Sequence, residues 1–148
     1  MRIRITRTRE GVALPAYKTG GSVAFDLAAA EAAAVPAKGL CLVPTGLVIA
    51  VPDGHTLLIA ARSSLFKKKG LMLANNLGVI DRDYCGPTDE IHILLWNPGD
   101  ADVSIVKGER LAQGFFVPVT KAEWAEGPAD APARGGIGST GGYTATTT

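Results

Sequence analysis

The stretch GVIDRDYCG, residues 78–86, sets two carboxylates, Asp81 and Asp83, on either side of Arg82, with Tyr84 and Gly86 directly behind. A carboxylate in such a place can take a proton from water as the water attacks an electrophile, and a flat ring beside it can wall a sugar or a base. As a strand the stretch would put both acids on one face, opposite Arg82 and Tyr84. As a turn it would follow NNLG, which supplies Asn and Gly for a hairpin. An Asp near a turn also commonly bonds locally and is structural. Residue types alone leave both arrangements open.

A second polar group stands in ARSSLFKKKG, residues 61–70. Arg62, Ser63 and Ser64 offer a guanidinium fork, two hydroxyls and backbone amides, a set suited to phosphate oxygens. Lys67, Lys68 and Lys69 read as a solvated turn, because a lysine run costs little at a surface and much in a pocket. Asp26, in SVAFDLAAA, stands where a buried strand would not want a charge. It is either an edge or turn residue facing water or a hard oxygen ligand for Mg2+, direct or through water.

From Ala125 onward the chain is rich in Ala, Gly, Pro and Thr, with Ile137 as its one large aliphatic residue and Tyr143 as its one aromatic. Such a segment cannot bury enough surface to fold alone. Its RGGIGSTGG, residues 134–142, joins a cation, two hydroxyls and many unhindered amides, which suits wrapping an anion. Gly136, Gly138 and Gly141 match G-x-G-x-x-G, but no strand precedes them and no helix-forming segment follows, so a dinucleotide fold is excluded.

The elements that must carry these groups are short. Runs of β-forming residues recur at IRI (3–5), CLV (41–43), LVIAV (47–51), TLLIA (56–60), IHILLW (91–96), VSIV (103–106) and FFVPV (115–119), separated by Gly, Pro, Asn and Asp. The spacing predicts an all-β sandwich or barrel. In AAAEAAAV, residues 28–35, alanine propensity favours helix while an apolar stripe is missing. The 148 residues, 47% of them hydrophobic, suit one domain with a real core. A net charge of +1 supplies no global field for nucleic acid or an anionic membrane, so any anion must be bound locally. Cys41, Cys85, His55 and His92 form no pair at metal-ligand spacing, and the thiols are read as reduced. The N-terminal MRIRITRTRE lacks the apolar core of a signal, and a cytoplasmic protein is expected.

Taken together, SVAFDLAAA, ARSSL, NNLGVIDRDYCG, NPGDADVSIVKGERLAQGFF and RGGIGSTGG, with PTGLVIAVPDG between the first two, closely resemble the trimeric dUTP pyrophosphatase (dUTPase) family. The resemblance implies a distorted β jelly roll over residues 1–124 and a flexible arm over 125–148. It implies a homotrimer whose three active sites lie between subunits, each closed by a neighbour's arm. The reaction it implies is Mg2+-dependent hydrolysis of dUTP to dUMP and pyrophosphate, which limits uracil in DNA and supplies dUMP for thymidylate synthesis.

By the same resemblance Asp81 matches the general base, and Asp83 matches an acid the chemistry does not require. Asn75 and the backbone of Val79, Ile80 and Asp81 match a hairpin that mimics base pairing to uracil. Tyr84 matches the ring that packs on deoxyribose and excludes a 2′-hydroxyl. Asp26 matches the acid that holds Mg2+ through water. Arg62, Ser63, Ser64 and Gln113 match phosphate contacts, as do Arg134, Ser139 and Thr140 in the arm. Ile137 stands where the family usually has an aromatic residue that stacks on uracil, and the spacing from Arg134 is two residues shorter than usual. CGPTDEIHI after Tyr84 is longer than usual, which implies a longer turn and leaves the contacts of Glu90 and His92 open. The related dCTP deaminases, alone or bifunctional, carry a catalytic Glu three residues before an Asn; the matching position before Asn97 is Leu94. A non-catalytic nucleotide sensor on the same fold is the other alternative.

Overall fold

The structure, a computed structural model, describes residues 1–136. Ile137, Ser139 and Thr140 therefore lie outside the described residues. Within them the elements run β1 (Ile5–Arg7), β2 (Phe25–Ala28), β3 (Ala33–Val35), β4 (Leu40–Pro44), β5 (Leu47–Ile49), β6 (His55–Ala61), α1 (Leu65–Lys69), β7 (Met72–Leu73), β8 (Leu77–Ile80), β9 (His92–Trp96), β10 (Val103–Ile105) and β11 (Arg110–Pro118). A four-stranded sheet in the order β2-β11-β6-β8 and a three-stranded sheet β4-β9-β7 are joined by the ribbons β1-β5 and β10-β3. The result is an all-β, jelly-roll-like sandwich.

Alternation builds the core. In β9 the side chains of Ile93 and Leu95 are buried while those between them are not, and β6 turns Leu57 and Ile59 inward. They meet Leu27 of β2, Val43 of β4 and Leu111 of β11 in one apolar cluster. Fully burying a side chain of this size contributes about 1.5–3 kcal/mol. β11 lies between β2 and β6 and pairs with both, Gly114 standing opposite Phe25 on one side and Ile59 on the other.

The structure settles one open reading and corrects others. The alanine stretch is no helix: it bends after β2, and β3 pairs with β10, which buries Val35 completely. Sheet pairing and burial outweigh alanine's local preference. Lys67, Lys68 and Lys69 are not a plain turn but the end of α1, closed by Gly70 at φ 68° with its N–H on Phe66 O. Cations there favour the carbonyl end of the helix. NNLG does turn the chain, with Asn76 at φ 56°, yet β7 pairs with β9 and β8 with β6. The turn thus carries the chain from one sheet to the other and closes no paired hairpin. No helix among the described residues is long and apolar enough to cross a membrane.

Gly114 is a point of close packing on β11. A methyl group there would lie 2.8 Å from Phe25 Cε2 and Cζ and 3.2 Å from Leu57 Cδ1. Overpacking of this kind costs about 1–3 kcal/mol. Gly114→Ala is therefore expected to lower the urea midpoint by that equivalent, and an unchanged midpoint would show that Phe25 moves aside freely.

Candidate active site

Asp26 on β2 stands opposite Gln113 on β11, which in turn stands opposite Ala60 on β6. Arg62 leaves the end of β6, so side chains from three strands meet. Asp26 Oδ1 lies 2.8 Å from Arg62 Nε, and its Oδ2 lies 2.7 Å from Arg110 Nη1. Arg62 Nη1 also donates to Arg110 O at 3.3 Å, and Gln113 Nε2 to Ala61 O at 3.1 Å. Asp26 thus does not simply face water: its side chain is 15% exposed and is pinned on both oxygens. Two cations around one anion leave a net positive charge, which favours an anionic ligand.

Arg110 was not apparent from the sequence. In a regular strand, positions 110 and 113 face opposite sides. Here a bulge intervenes: Arg110 pairs with Ala28, Ala112 with Leu27 and Gln113 with Asp26. Leu111 and Ala112 are both buried, and Arg110 returns to the face of Asp26 and Gln113. Beside the cluster, a cavity of about 330 Å³ has Arg62, Ser64, Lys68, Lys69, Glu109 and Arg110 among its lining residues. Ser63 is exposed in the turn before α1, and Ser64 is half-buried at its start. Lys69 is spent on Glu109 Oε1 at 2.9 Å and Ser104 O at 2.7 Å.

The second group of candidates sits elsewhere. β8 is an edge strand, anchored to β6 through Leu57–Ile80 and Leu58–Val79, with Thr56 Oγ1 on Ile80 O at 2.8 Å. Its outer edge presents backbone N–H and C=O groups that carry no strand partner. Asn75, in the turn before it, is exposed, and a Cβ on Gly78 would lie 3.6 Å from its Nδ2. The strand stops at Ile80, so Asp81, Arg82 and Asp83 stand in a turn, with Asp81 O accepting from Tyr84 N at 3.3 Å. Among the described residues neither Asp81 nor Asp83 pairs its carboxylate. Arg82 turns instead to Asp53 at 2.7 Å. Asp81 opens onto a cleft of about 720 Å³ lined also by His55, Thr56, Asp83 and Lys121.

The two groups lie at opposite ends of β6. Asp81 follows the residue opposite Leu57, whereas Arg62 follows Ala61. At about 3.3 Å per residue, the separation along the strand is roughly 15–20 Å. Asn75 and Asn76 are at the Arg62 end, and Asn76 shares a small cleft with Arg62 and Ser63. Tyr84 is 39% exposed. Arg134 is exposed.

A cationic clamp and a carboxylate unpaired among the described residues, at the two ends of one strand, are groups suited to chemistry on a phosphorylated substrate. The dUTPase family model matches residues 10–141, and the chain belongs to that family. It is 40% identical over 144 residues to the deoxyuridine 5′-triphosphate nucleotidohydrolase of Wolinella succinogenes, covering 95% of each chain. The enzyme of the same name from Brucella melitensis is 42% identical over 140 residues, 89% of this chain and 87% of that one. Among solved structures, the dUTPase of Streptococcus mutans superposes with a TM-score of 0.75 at 35% identity, covering 82% of this chain and 98% of that one.

The clamp is also a fold element, since it ties β2 to β11 and to the end of β6. Hydrogen bonds to charged groups contribute about 1.5–3 kcal/mol. Asp26→Ala is expected to lose about that much in urea unfolding, and combining it with Arg110→Ala should cost less than the sum of the two. Strict additivity would mean that the pair does not interact in solution.

Proposed function

We propose that the chain hydrolyses dUTP to dUMP and pyrophosphate. The observation that carries the reading is the Asp26–Arg62–Arg110 clamp, net positive and ringed by phosphate-seeking groups, in a chain of the dUTPase family. The triphosphate binds at the clamp with Ser63, Ser64 and Gln113, and Arg134, Ser139 and Thr140 of the arm, residues 125–148, close over it. Uracil lies along the outer edge of β8, where the backbone of Val79, Ile80 and Asp81, with Asn75, meets its acceptor–donor–acceptor edge. Ile137 gives the base an aliphatic contact, and Tyr84 packs on the deoxyribose.

Asp81 takes a proton from the attacking water. The water oxygen bonds the α-phosphorus, the bond from that phosphorus to the α,β-bridging oxygen breaks, and pyrophosphate leaves with the electron pair. A positioned base of this kind contributes about 10²- to 10⁴-fold. Among the described residues no three His, Cys, Asp or Glu side chains gather to hold a metal. Asp26, a hard oxygen donor beside the phosphate-seeking groups, would hold Mg2+ through water, as the likeness to the family implies. When bound, the ion draws charge off the phosphates.

A water activated by Asp81 and phosphates held by Arg62 must lie within a few Å of one another. The roughly 15–20 Å between these residues along β6 argues that each site takes them from different subunits. The outer face of β4-β9-β7 supports self-association, for it exposes Leu40, Leu42, Met72 and Trp96. The assembly proposed is a homotrimer with sites between subunits, working in the cytoplasm.

Two experiments test this reading. Pyrophosphate release with Mg2+ is expected from dUTP and not from dTTP, UTP, dCTP or dATP; no release from any of them would remove the enzymatic reading. Asp81→Asn is expected to bind dUTP while losing about 10²- to 10⁴-fold in kcat, and Arg62→Ala to be inactive through the clamp. Refolded together at equal concentrations, the two variants should recover about a quarter of wild-type activity, because random assembly joins one intact half from each neighbour at that frequency. Failure of every mixing ratio would place both residues of a site on one chain.

A further inference from the structure

Glu90 is a buried carboxylate for which the reaction has no use. Its Oε1 accepts from Gly46 N at 2.6 Å and lies 3.2 Å from Arg9 Nε, while Arg9 Nη1 reaches on to Glu31 Oε2 at 2.6 Å. The next residue is clasped by the same turn: Thr45 N and Oγ1 donate to Ile91 O at 3.1 and 2.6 Å, and Ile91 N donates to Leu47 O at 2.9 Å. Gly46 sits at φ 69°, and a Cβ there would lie 2.5 Å from Val12 Cγ2. The turn that receives Glu90 therefore has little freedom to shift.

The backbone carbonyl of Glu90 faces Tyr84 instead. It accepts from Tyr84 Oη at 3.0 Å and lies 2.8 Å from His92 Nδ1. The intervening loop is held mostly by bonds to itself: Tyr84 N to Asp81 O, Cys85 N to Asp83 O, and Gly86 N to Asp89 Oδ2. Its tie through Arg82 and Asp53 joins side chains 63% and 88% exposed, and a pair so exposed holds little. The longer loop thus depends on the Tyr84 hydroxyl and on residue 90 for its placement. An apolar residue at 90 would fill the space but leave the Gly46 N–H and Arg9 without their acceptor. The pair joins a Glu90 side chain 12% exposed to an Arg9 side chain 38% exposed, and a half-buried pair of this kind supplies direction more than net stability.

We infer that Glu90, held by Arg9, is a positioning residue that fixes the Tyr84 ring through its own carbonyl and so sets how strongly the pocket rejects a ribose. The inference rests on the reading of Tyr84 as the wall against the sugar. It assigns a role to two residues outside the phosphate clamp and the catalytic turn.

The test measures kcat/KM for dUTP and for UTP in the full-length protein and follows their ratio, with thermal unfolding in parallel. Tyr84→Phe removes only the bond to the Glu90 carbonyl, and Glu90→Gln removes the charge that Arg9 holds. Each is expected to lower the dUTP/UTP ratio about fivefold, the equivalent of one hydrogen bond. Arg9→Gln should act in the same direction and add nothing to Glu90→Gln. A merely structural Glu90 would lower the melting temperature and leave the ratio unmoved. Tyr84→Ala separates the two levels of the argument. If it collapses the ratio while Tyr84→Phe and Glu90→Gln keep the wild-type value, the positioning role is wrong and the sugar wall stands. If Tyr84→Ala leaves the ratio unchanged, wall and positioning role fall together. Should Glu90→Gln not fold, Arg9→Gln takes its place, and an unmoved ratio in Arg9→Gln overturns the positioning role.

Discussion

β11 is hydrogen-bonded along both edges, to β2 and to β6, and the placement of the phosphate-seeking groups depends on that double pairing. Backbone groups buried in the middle of a sheet must all find partners. Gly114 lets Phe25 close over the strand, and the bulge at Leu111 and Ala112 buries two apolar residues where β2 offers one. The same bulge turns Arg110 toward Asp26. One irregularity therefore serves both the core and the charge cluster, while Arg62 reaches the same carboxylate from the end of β6.

The acids of this chain differ by environment rather than by type. Asp26 has both oxygens on guanidinium groups and is mostly covered, so it organises positive charge. Asp81 stands at the end of an edge strand, in an open cleft, with its carboxylate unpaired among the described residues. A base needs an available lone pair, and a clamp needs saturated ones. Glu90 is a third case: it is buried and tied to Gly46 and Arg9, and what it offers Tyr84 is its backbone carbonyl. The Asp81 turn and the clamp occupy opposite ends of β6, so within one chain the two kinds of acid stay apart.

How much was legible in the residues themselves follows from the range of the interactions. Runs of β-forming residues set off by Gly, Pro, Asn and Asp marked β4, β5, β6, β9, β10 and much of β11, because both signals are written locally. β2 and β3 were hidden in alanine-rich sequence, where the partner strands supply the burial that the residues lack. The NNLG turn was visible, but its two arms were bound for different sheets, and only their partners across the core decide that.

The same division holds at the site. The sequence by itself determined the chemical inventory: the acids Asp26, Asp81 and Asp83, the Arg62-Ser63-Ser64 group, Tyr84, and an arm of glycines and hydroxyls, in an order that resembles one family. Tertiary structure decided the use of that inventory. Arg110 joins Asp26 through a bulge that no alternation rule contains. Glu90 meets Arg9 across 81 positions of chain. Such pairs are set by strand register and by the cost of leaving a buried charge alone, and neither is a property of neighbouring residues.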